Sequence, residues 1–237
     1  MDLSRSPLTS QRPLAKWWPL ALYVALLALS FAACGAAYAF VPEWRAQLVL
    51  EDAWIENLSL VFYLFGVGIL ALGLHSCACR FGGMGVLAGL CFIGILEEIS
   101  YGQRFFPGLP FPTLPNGMTL DALHDFSRVA VLEFLKLGVP GYAGFALSVL
   151  LPLAVVAWLL RRRLRAILEA ILAPHSVWLY VTSAAGLALI ALFIDSRGSI
   201  SQSLVFLEEV LEMNAALSLA FAAGIGVFFA HRTPLKG

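Results

Sequence analysis

Residues 17–41 run for 25 positions without a charged side chain. A helix needs about 20 such residues to cross the hydrocarbon of a bilayer. Five further apolar runs follow at 54–74, 84–99, 142–160, 177–194 and 203–230. In lipid every backbone N–H and C=O must be satisfied internally, which leaves helices or closed barrels, and runs of this length argue helices. The expectation is one all-α membrane domain: a polytopic bundle of about six transmembrane helices, with an interfacial segment at 105–137. Composition agrees. The chain is 60% hydrophobic and 13% charged, whereas soluble domains are roughly half apolar and about a quarter charged. No basic surface stands out for nucleic acid, and no stretch is long enough for a second, soluble domain.

The first run has two competing readings. Ala37-Tyr38-Ala39 could be a signal-peptidase site, and Phe31-Ala32-Ala33-Cys34 is a poor lipobox. The apolar run continues past both, which favours an uncleaved span. The four cysteines, Cys34, Cys77, Cys79 and Cys91, lack metal-site spacing and read as small hydrophobes.

Lys and Arg set orientation in membrane proteins. With the N-terminus inside, ten of the fifteen fall on the inner side, among them Arg161-Arg162-Arg163-Leu164-Arg165. Six spans then place both termini in the cytoplasm. The acids were not used for that choice, yet thirteen of the fifteen fall on or near the outer side, all but Asp2 and Glu169. Solvation explains those in loops. It does not explain those inside apolar runs, where ionisable groups are expensive.

The embedded acids are the candidate site. Glu56 opens the second run, Glu97 and Glu98 close the third, and Glu208, Glu209 and Glu212 lie in the first turns of the sixth. Glu212 is four residues from Glu208 and three from Glu209, so it shares a face with both. Asp195 closes the fifth run. Carboxylates crowded in low dielectric must share protons, meet cations or bind metal. Acids near helix N-termini are excused by the macrodipole, which covers Glu56, Glu208 and Glu209; Glu97 and Glu98 end their helix and are not excused.

Beyond Glu98, residues 105–117 hold four prolines and three phenylalanines, which break a helix and suit the membrane interface. Thr119 then caps an amphipathic helix whose polar stripe is Asp121, His124, Asp125 and Arg128. His124 beside an acidic cluster could be a metal ligand or a proton shuttle, or simply a solvated residue. One His with many carboxylates suits a hard divalent metal better than zinc held by several histidines.

The run Glu97-Glu98-Ile99-Ser100-Tyr101-Gly102-Gln103-Arg104 resembles the E-E-I-S-W-G-Q-R motif of an uncharacterised family of bacterial multi-pass membrane proteins, with Tyr101 for Trp. Glu51-Asp52 with Glu56, and Glu208-Glu209 with Glu212, match that family's other acidic segments. Ala122 and Asp125 stand where its N-L-H-N motif has Asn. A weaker likeness to the CAAX-protease-like family fails on the position of the Arg and on the missing later His motifs. The resemblance implies a place in a bacterial inner membrane and no activity. From the residues, the expectation is a cation-dependent enzyme acting on a lipid or lipid-linked substrate. Glu97, Glu98, His124 and Glu212 would carry catalysis. Glu56, Glu98, His124, Glu208, Glu209, Glu212 and Asp195 would hold a divalent metal, and Gln103 and Arg104 an anionic head group. The alternative is a structural or accessory subunit whose acids pair with Arg104, Arg128, Arg197 or the helices of other membrane subunits.

Overall fold

A computed structural model describes residues 14–50, 53–76, 82–100, 176–195 and 201–230. These residues form six α-helices and no strand: α1 (Leu14–Phe40), α2 (Arg45–Val49), α3 (Trp54–Ser76), α4 (Gly82–Glu98), α5 (Val177–Asp195) and α6 (Gln202–Ala230), with a 3-10 turn at Pro42–Trp44. Four of them, α1, α3, α5 and α6, are long and apolar enough to cross a membrane. The expected third run is α4. At 17 residues it rises about 25 Å, short of a hydrocarbon core of about 30 Å. Glu97 and Glu98 are its last two residues. The expected span at 142–160, the interfacial segment 105–137, and the candidates Gln103, Arg104 and His124 lie outside the described residues.

The centre of the bundle is α6. It packs against α5 and α3 most extensively, then α4 and α1. Small residues allow close approach, which drives packing where lipid competes for every apolar contact. A β-carbon at Gly66 would sit 3.1 Å from Cys91 Sγ on α4 and 3.4 Å from Ala220 Cα on α6, and Gly73 lies against Val227. Seven residues therefore separate matching contacts on α3 and α6, so the two helices run parallel in register. The ring of Tyr63 covers Gly94, so α4 runs antiparallel to α3. Tyr23 against Phe221, and Tyr38 stacked on Phe206 with centroids 4.3 Å apart, make α1 antiparallel to α6. The main core gathers Tyr23, Leu70, Leu87, Cys91, Tyr180 and Ala223 among others. A smaller cluster of Leu48, Ile55, Val210 and Met213 closes the end where α6 begins.

The segment between α1 and α3 carries regular structure where hydropathy shows only a connection. Arg45 Nε donates to the Tyr38 carbonyl at 2.7 Å, and a terminal guanidinium nitrogen donates to the Ala39 carbonyl at 3.1 Å. The same guanidinium lies 5.4 Å from the centroid of the Tyr38 ring. A helix leaves its last carbonyls without partners, and Arg45 supplies donors to two of them.

Candidate functional site

The helix registers bring most of the expected acids to one end of the bundle. From the contacts of Gly66 with Cys91 and of Tyr63 with Gly94, one further turn places Ser59 level with Glu98. From Gly66 and Ala220, seven residues back on each helix place Ser59 level with Met213, beside Glu212. Glu98, Ser59 and Glu212 thus share a layer, supplied by three helices. Glu98 is only 8% exposed and Ser59 1%. Ser59 keeps its own hydroxyl within its helix, donating to the Ile55 carbonyl at 3.1 Å.

Tyr63 joins this layer one turn deeper. It lies seven residues after Glu56, on the same face of α3, and its ring covers Gly94, one turn before Glu98 on α4. Sequence reasoning missed Tyr63. The spacing from Glu56 was the available signal, but a tyrosine inside an apolar run reads as ordinary packing.

The helix ends revise the electrostatic reading. Glu56 does lie in the first turn of α3. The first turn of α6 holds no acid, because that helix starts at Gln202, with Ser201 O accepting from the Leu204 and Val205 amides at 2.8 and 3.2 Å. The dipole effect fades within one turn, so it does not account for Glu208 or Glu209, contrary to expectation. Asp195 is the last residue of α5 and so shares the unfavourable position of Glu97 and Glu98. After Glu98 the chain turns sharply: the Ile99 amide still bonds the Ile95 carbonyl at 3.1 Å, and Ser100 takes a left-handed φ of 45°.

The acids do not collapse onto one point. Among the described residues, no three His, Cys, Asp or Glu side chains are grouped so as to hold a metal ion. The expected metal set also includes His124, which lies outside the described residues. Helix register spreads the described members over successive layers: Tyr180 against Phe221 sets Asp195 near the level of Phe206, with Glu212 almost two turns further along α6. Nor are these carboxylates idle. Glu56, Glu97, Glu98, Glu208, Glu209, Glu212 and Asp195 all engage in interactions.

The opposite face of α6 carries a neutral polar seam. Tyr23 bonds both Ser183 of α5 and, at 2.8 Å, Ser218 of α6. Ser218 Oγ donates to the Asn214 carbonyl at 2.6 Å. A hydroxyl has one proton, so the direction is fixed: Ser183 donates to Tyr23, Tyr23 to Ser218, and Ser218 to Asn214. No family model, curated protein or solved structure matches this chain.

Proposed function

We propose that the chain is a multi-pass inner-membrane protein with both termini in the cytoplasm, and that the Glu98–Glu212 layer is the floor of an outward-facing cation pocket. The bound cation would serve a reaction on a lipid or lipid-linked substrate. One observation carries this reading: helix register brings carboxylates from two helices, Glu98 and Glu212, to one layer, and Glu98 is nearly inaccessible there. Like charges held close in low dielectric favour either a shared proton or a bound cation.

In this reading Glu98 and Glu212 contribute two of the ligands. Further ligands would come from water, substrate or the 101–137 segment, which contains His124. Glu97 and His124 would move protons, and Gln103 and Arg104 would hold an anionic head group. Purified protein should retain a divalent ion that Glu98→Gln loses, and cells carrying Glu98→Gln should show altered lipid composition. Metal-free protein together with unchanged lipids would sink the proposal.

A second reading is a non-catalytic subunit. It is favoured by the engagement of every embedded acid named above and by the lack of a three-ligand group among the described residues. Under it, Glu98→Gln weakens assembly or stability and leaves lipids untouched.

A further inference from the structure

The neutral seam between α1, α5 and α6 contains two polar atoms that the hydroxyl chain does not serve. Asn214 is fully buried. Its Nδ2 donates to the Val210 carbonyl at 2.7 Å, while its Oδ1 has no donor within hydrogen-bonding distance. Ser30 Oγ, on α1, is likewise buried without a partner. This is unusual for a helical serine, whose hydroxyl can readily bond a carbonyl in its own preceding turn.

The two atoms belong to one level. Tyr23 packs on Phe221, and Tyr38 packs on Phe206, which fixes the antiparallel register of α1 and α6. Seven residues on from Tyr23 is Ser30, and seven back from Phe221 is Asn214. Seven residues is two helical turns, so Ser30 keeps the face of Tyr23 and Asn214 keeps the face of Phe221. Ser218, one turn along α6, already holds Tyr23.

An acceptor that can only accept stands level with a hydroxyl that can do either. An unsatisfied carbonyl in an apolar bundle carries a substantial free-energy cost. A water molecule answers both needs, donating to Asn214 Oδ1 and exchanging a hydrogen bond with Ser30 Oγ, as buried waters commonly do between orphan polar groups. We propose that this seam binds an internal water between Asn214 and Ser30, one turn along α6 from the Ser183–Tyr23–Ser218 chain. The site lies on the opposite side of α6 from the carboxylate layer and does not depend on the function proposed for that layer.

The asparagines of the chain are Asn57, Asn116 and Asn214, so labelling asparagine alone with nitrogen-15 gives a simple spectrum of side-chain amides. In detergent-solubilised protein, the Asn214 amide should show cross-relaxation with water. The signal should weaken in Ser30→Ala and survive Ser218→Ala, which removes the neighbouring exchangeable proton. A silent Asn214 beside a responding Asn57 overturns the proposal, as does a signal unchanged by Ser30→Ala. Thermal unfolding gives a second readout. Asn214→Leu should lower Tm, since it breaks a filled network. A raised Tm would mean that the carbonyl was an unmet cost and that no water is held there.

Discussion

The ring of Tyr63 occupies the space that a β-carbon at position 94 would need. That contact fixes α3 against α4 one turn from Glu98, so the acidic layer rests on a glycine. Gly94→Ala should therefore lower stability by about 1–3 kcal/mol, the usual cost of overpacking. Gly68 faces open space, with nothing within 4 Å of where a β-carbon would stand. Gly68→Ala should therefore be neutral or stabilising by up to about 1 kcal/mol through helix propensity. Thermal unfolding of the two variants in one detergent makes the comparison; equal effects would contradict the packing.

Tyr23→Phe keeps the edge contact with Tyr180 at 4.9 Å and removes the hydroxyl between Ser183 and Ser218. Interhelical hydrogen bonds in membrane proteins contribute about 0.6 kcal/mol on average and up to about 2. A loss in that range is expected from denaturant titration. Ser183→Ala added to Tyr23→Phe should cost almost nothing more, because the hydroxyl of Ser183 has by then lost its acceptor.

Ser100 holds a left-handed backbone conformation, which costs a non-glycine residue about 1–2 kcal/mol. Ser100→Gly should raise the unfolding midpoint, and Ser100→Val should lower it strongly. A lowered midpoint for Ser100→Gly would mean that the turn after α4 is set by the serine hydroxyl rather than by the backbone.

Arg45→Ala removes both donors to the end of α1 and the cation over Tyr38. Because Arg45 is exposed, the expected loss is about 1 kcal/mol or less. Arg45→Lys should recover only part of it, since an ammonium does not reproduce the guanidinium fork. Amide hydrogen exchange at Val41 and Leu50 would report the loosening of this corner directly.

Most of the helices are legible in the sequence because hydrophobic runs are long-range signals carried by many residues. The second run ends at Leu74 by hydropathy and at Ser76 in the structure, and the fifth gains only Asp195. The short turns at Pro42–Trp44 and Arg45–Val49 are not legible, because their stability comes from Arg45 bonding back to α1 rather than from local pattern. Glu98 stands out in the sequence as a costly acid, since a carboxylate that ends an apolar run is excused neither by a loop's solvent nor by the helix dipole. Its companions are harder to find. Tyr63 and Ser59 become visible only through helix register, which depends on which glycine meets which neighbour. A string of residues does not reveal that Gly66 faces both Cys91 and Ala220.

The position of α6 has a consequence for biosynthesis. In its most apolar window 72% of residues are buried, against 6% for the corresponding window of α1. The ribosome thus makes the peripheral helices first and the central one last among those described. Until α6 leaves the translocon, α1, α3 and α5 have no common partner: Tyr23 lacks Ser218, Gly66 lacks Ala220 and Tyr180 lacks Phe221. Nascent chains stalled before residue 202 should be protease-sensitive and short-lived. Stalling after residue 230, with α6 clear of the ribosome, should yield the protected bundle in a single step.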